Sequence, residues 1–238
     1  MPQLDLRTLK HQARVAGLLY LLMGLGAPFS LLYVPGKLIV SGSATATAEN
    51  LRTSGGLLRA GLAGELIHQV LLVYLVLALY RLFKPVNEAH AKQLVIFGAL
   101  VSVPIMFLNV LNDVAALILV SGADFLSVFP KPQLDALAYL FVRLHGQGIT
   151  VASIFWGIWL FPFGMLVIRS GFIPKVLGVL LMIAGTSYLA TSFATLIVPQ
   201  YASQVSQIAF PFSVAELPIV FWLAIWGART RPADAAAA

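Results

Sequence analysis

An all-helical, polytopic membrane fold is what this sequence predicts, and three observations carry the prediction. Hydrophobic residues fill 60% of the 238 positions and charged residues only 10%, against roughly 25% charged in a soluble domain. Six apolar windows, at about 13–34, 60–83, 93–121, 136–168, 176–198 and 208–227, reach the ~20 residues that a hydrocarbon core of ~30 Å asks of a helix. The ~10-residue alternating segments of a membrane barrel are missing, so the spans are helices. Together these observations predict one six-helix transmembrane domain over residues 1–238.

Charge sets the expected orientation. With six spans, one side of the membrane holds Arg7, Lys10, Arg14, Arg81, Lys84, Lys92, Arg169, Lys175, Arg229 and Arg231, and the other holds Lys37, Arg52, Arg59, Lys131 and Arg143. Ten basic residues against five in short loops predict that both termini are cytoplasmic, by the positive-inside rule. The net charge of +6 is therefore a topology signal. No basic patch with interleaved aromatics points to nucleic acid. The absence of cysteine removes disulfides, thiolate metal sites and cysteine nucleophiles.

Taken in order, the first span follows Arg7, Lys10 and Arg14 as a signal sequence would, but its apolar character runs on to Val34. A signal-peptide core is only about 7–15 residues, so an uncleaved span is expected. Its Gly17, Gly24 and Gly26 are candidates for close helix approach. The connection 35–58 contains "SATATAENLRTSG", with Ser43 as a cap and Gly55 as a stop. It predicts a short extracytoplasmic helix on the membrane surface between spans 1 and 2, with a re-entrant hairpin as the alternative. Span 3 carries Pro104, which frees the Leu100 carbonyl and predicts a kink. Trp156, Trp159, Trp222 and Trp226 fall in cytoplasmic halves; the lower ones suit an interfacial belt, and Trp156 suits packing. The terminal "ADAAAA" reads as a frayed, low-complexity end.

Polar residues inside these spans point to function. At 1.5 Å per residue, Glu65, His68, Asn112, Asp113 and Glu216 fall about 9–14 Å below the outer edge, and Asn109 falls about 18 Å below it. Arg143, His145 and Gln147 fall in the same outer half. Glu65, His68 and Gln69 share a helix face by their i, i+3, i+4 spacing, as do Asn109, Asn112 and Asp113. Gly146 and Gly148 in "HGQG" would admit a close neighbour. Unpaired, the three acids would cost roughly 8–10 kcal/mol together, so they must be paired, protonated, hydrated or bound to a cation. His11 and His90 read as solvated, Asp124 and Asp135 as loop or cap residues, and Tyr20 and Tyr80 as packing. Ser102 and Ser153 read as helix contacts, so a serine nucleophile is unsupported, and no phosphate loop or dinucleotide fingerprint is present.

Three expectations compete. In the first, His68, Asp113 and His145 hold a zinc or iron ion, Glu65 or Glu216 acts as general base, and the catalytic pair serves metal-assisted hydrolysis of a lipid-like substrate. Gln69, Asn109, Asn112, Arg143 and Gln147 would line that pocket. In the second, Glu65, Asp113 and Glu216 exchange protons or bind a cationic solute in a small-molecule carrier. In the third, Arg59, Arg143, His68 and His145 neutralise the acids in a structural or accessory membrane protein.

The runs "ARVAGLLYLL", "LLYVPGKLIV", "TATAENLRTS", "LVLALYRLFKPV", "SGADFLSVF", "IFWGIWLFPFGMLVIRSGFIPKVLGVLL" and "VAELPIVFWLAIWG" resemble a bacterial integral-membrane family, domain of unknown function 4386. The resemblance covers about residues 10–228. It implies a multi-pass protein of the bacterial inner membrane and brings no catalytic residues with it.

Overall fold

The computed structural model describes residues 6–229. Arg231 and the terminal "ADAAAA" lie outside these, as do the ends whose sidedness the charge pattern predicts. Among the described residues there is no strand. Among these residues, six helices are long and apolar enough to cross a membrane: α1 (Leu6–Leu38), α3 (Gly55–Phe83), α4 (Glu88–Leu119), α5 (Lys131–Ser170), α6 (Lys175–Ile197) and α7 (Pro199–Ile225). A short helix, α2 (Ala44–Thr53), stands between the first two. The protein is thus a multi-pass, all-helical membrane protein. Each helix outruns its hydropathy window at one end or both, because turns beyond the lipid core stay helical when capped: Asn87 caps α4 by accepting from the His90 amide at 2.9 Å.

Prolines shape the long helices. In α1 the turns widen to π geometry over Phe29–Tyr33, with the Val34 amide bonding to the Phe29 carbonyl. Pro35 follows and has no N–H to offer the preceding carbonyls. In α4 a second π stretch, Val95–Val101, lies just before Pro104, where the sequence predicts a kink. In α7 the chain tightens to a 3-10 turn at Val214–Glu216, between Pro211 and Pro218.

The chain divides into two compact units, and α1, α3, α4 and α5 each contribute to both. The first takes the described residues up to Leu22, then Leu71–Val103, and everything described from Thr150 onward. Its core includes the fully buried Phe83, Phe163 and Phe172, with Phe83 stacked on Phe172 at 5.9 Å between ring centroids. Backbones approach closely across glycine pairs: a Cβ on Gly157 would lie 2.9 Å from the Gly185 carbonyl oxygen, and one on Gly185 would lie 2.7 Å from that of Gly157. Small residues give lipid-embedded helices this close van der Waals contact. Gly17 does the same against the backbone of Leu223 and Ala224. Gly24 and Gly26, expected to behave likewise, are exposed and have nothing within 4 Å of a built Cβ.

The second unit comprises Met23–Val70 and Pro104–Ile149. Val34, Leu38, Leu51, Leu58, Leu62, Val110 and Val142 form its apolar cluster. The helix expected in 43–55 is present. Ser43 caps α2 by accepting from the Ala46 amide at 3.3 Å, Asn50 donates to the Leu38 carbonyl at 3.1 Å, and Arg52 pairs with Asp135. Asp135, expected to be a loop or cap residue, is instead 2% exposed and also bonds Lys131 Nζ at 3.1 Å. Its position at the start of α5 turns it inward, toward α2.

Candidate functional site

Three helices of the second unit bring Glu65, Asp113 and His145 together. Glu65 lies on α3, Asp113 on α4 and His145 on α5, and all three are buried. The imidazole bridges the two acids: His145 Nε2 is 3.1 Å from Glu65 Oε1, and His145 Nδ1 is 3.5 Å from Asp113 Oδ2. Asn109 steadies the histidine by donating from Nδ2 to the His145 carbonyl at 2.9 Å, and Asn112 in turn donates to Asn109 Oδ1 at 3.0 Å. Gly148, one turn beyond His145, explains part of the "HGQG" string: the Asn109 amide occupies the space its Cβ would need. Gly146 has nothing within 4 Å of a built Cβ.

Cationic neighbours are scarce. Among the described residues, no lysine or arginine lies within ion-pair distance of Glu65 or Asp113, and only the histidine pairs with them. Arg59 and Arg143, expected to neutralise the acids, are exposed. Arg143 and Gln147 are two residues before and after His145, about 200° around the helix, which places them on the opposite face. They do not line the cluster. Among the described residues, Glu65 Oε2 and Gln69 Oε1 are buried without a hydrogen-bond partner, and so is Ser30 Oγ, packed against Gly64. Buried oxygens in that condition call for a proton, a water or a cation.

His68 is half-buried, and its Nδ1 lies 3.3 Å from the Met23 carbonyl oxygen. It is not part of the group able to hold an ion. That group is Glu65, Asp113 and His145, one ligand atom from each, all within 4.8 Å of one another. Ligands ~2.1 Å from an ion stand about 3.4 Å apart in a tetrahedral site, so a modest side-chain rotation would close the three around one. Two carboxylate oxygens and an imidazole nitrogen suit zinc, iron or manganese.

Glu216 belongs to the first unit, in the 3-10 turn of α7. Tyr20, from α1, donates its hydroxyl to Glu216 Oε1. The Tyr188 hydroxyl, from α6, reaches the same carboxylate. Tyr20, 3% exposed, packs its ring on Trp159 at 6.1 Å between centroids. Sequence reasoning assigned Tyr20 to packing and missed this pairing. The available signal was that a carboxylate deep in a span needs a donor, and a mid-span tyrosine is one.

The profile of the family described as "Domain of unknown function (DUF4386)" matches residues 15–227. A curated relative, an uncharacterized protein of Archaeoglobus fulgidus, is 40% identical over 81 residues, which is 34% of this chain. The match spans about half of that relative's length, 47%. No solved structure matches the chain.

Proposed function

The chain belongs to the DUF4386 family, and from the chemistry of its own residues we propose that it is a carrier-type membrane protein whose Glu65–His145–Asp113 cluster binds a cation in exchange for protons. One observation carries this reading: two buried carboxylates share a single imidazole, with no arginine or lysine among the described residues paired with them. With both acids ionised and the imidazole protonated, the cluster keeps one net negative charge. In a lipid-embedded site that charge is costly. Neutrality returns when one acid also takes a proton, or when a divalent cation replaces both protons and leaves the imidazole neutral. The unpartnered Glu65 Oε2 is the oxygen open to either.

Metal-assisted hydrolysis is less well supported, because it needs a general base beside the ion. Glu65 would be a ligand in that geometry, and Glu216 already accepts from Tyr20. To the same proposal belong the placement in a bacterial inner membrane, the cytoplasmic termini, α2 as a surface helix, and residues 1–238 as one domain. Reporter fusions at residue 238 and within 43–55 should report opposite sides, and a common side would end the six-span topology.

The exchange itself is tested in proteoliposomes that enclose a pH-sensitive dye. External Zn2+ or Mn2+ should drive luminal acidity outward in wild type, and the double variant Glu65→Gln/Asp113→Asn should not respond. Wild type that moves no protons with either ion would sink the proposal.

A further inference from the structure

A second charged feature lies in the first unit, where α5 ends at Ser170 and α6 begins at Lys175. The turn between them passes through Gly171 at φ 73°, and the Arg229 amide donates to the Phe172 carbonyl at 2.9 Å. A pocket of about 970 Å3 opens at this turn, lined by Arg169, Lys175 and Arg229 together with Val86, Ile168 and Ile173. Among the described residues, no acidic one lines it. The three cations are exposed, and among the described residues none of them is in an ion pair.

A second feature points the same way. Pro174, the residue that caps α6, supplies no side-chain hydrogen bond. The Leu177 amide donates to the Pro174 carbonyl at 3.1 Å, while the amides of Lys175 and Val176 open this 23-residue helix without a side-chain cap, and Lys175 lines the pocket. These two uncapped N–H groups and the positive end of the helix dipole favour an anion there. Two guanidinium groups and an ammonium add charge, and the guanidinium forks match phosphate oxygens in pairs.

We propose that this pocket binds a phosphate-bearing anion, with the headgroup of an anionic lipid as the favoured source. Its place at the ends of two membrane spans is the level of lipid phosphates, and the half-buried Val86 and Ile168 offer apolar contact to the glycerol and the first acyl carbons. Basic pockets between membrane helices are a recurring way of holding such headgroups. The site uses none of the residues of the cation cluster, so the two proposals stand or fall separately.

Thermal unfolding of the full chain in detergent tests it, with phosphatidylglycerol, phosphatidylcholine and inorganic phosphate as probes. Phosphatidylglycerol should raise the midpoint by roughly 5 °C, and phosphatidylcholine should raise it far less. The shift should shrink with added salt, disappear in Arg169→Gln/Lys175→Gln/Arg229→Gln, and survive largely in Arg169→Lys/Arg229→Lys. An equal shift with inorganic phosphate, also lost in the triple variant, would support the anion site and assign it to a soluble ligand. Equal shifts with the two lipids, no shift with either phosphatidylglycerol or phosphate, or a triple variant that keeps the shift would overturn the proposal. If the triple variant does not fold, the three single glutamine variants serve. Each should lose part of the shift, and no loss in any of them overturns the site.

Discussion

In the unit built from Met23–Val70 and Pro104–Ile149, Glu65 and Asp113 meet across one imidazole; in the other unit, Glu216 meets the hydroxyl of Tyr20. Both arrangements give a membrane-embedded carboxylate a donor, yet they differ in what can change. A phenol, with an ordinary pKa near 10, donates its proton and keeps it across the physiological range. An imidazole can carry one proton or two, and here both of its nitrogens face carboxylates. The phenol pairing suits a fixed joint, holding the 3-10 turn of α7 against α1. The imidazole pairing suits exchange.

Mutations can break that comparison in order of expected effect. His145→Ala leaves two buried acids without their cation and should cost about 3–5 kcal/mol, read as unfolding in detergent. Gly148→Ala pushes a methyl into the Asn109 amide and should cost about 1–3 kcal/mol, with weakened cation response. Tyr20→Phe should cost only about 1 kcal/mol, because Tyr188 still reaches Glu216, and cation-driven proton movement should be unchanged. If Tyr20→Phe abolished exchange while His145→Ala kept it, the roles of the two regions would be reversed. Arg143→Gln and Gln147→Ala, on the far face of α5, should stay within about 0.5 kcal/mol of wild type.

Much of this was legible in the sequence, and the limits have physical causes. Apolar length identified all six spans, and Ser43 marked α2, because hydropathy and capping are local properties. Helix spacing grouped Glu65 with Gln69, and Asn109 with Asp113, for the same reason. Depth along the axis then matched His145 and Glu216 to that layer, but depth carries no information on azimuth. Glu216 turned out to pair with Tyr20, 196 positions away in sequence, and Arg143 turned out to face away from His145. His68 shares the Glu65 face by spacing, yet its Nδ1 lies against the Met23 carbonyl. The π turn in α4 was legible only as the kink expected at Pro104, and the one in α1 was not read from the sequence.

Proton release on cation binding tests the exchange most directly. Titrating Zn2+ into the purified protein by calorimetry, in two buffers of different ionisation enthalpy, counts the protons displaced per ion. Charge balance at Glu65, Asp113 and His145 predicts one ion per chain and about two protons released, with both lost in Glu65→Gln/Asp113→Asn. No binding, or binding that releases no protons, would contradict the account.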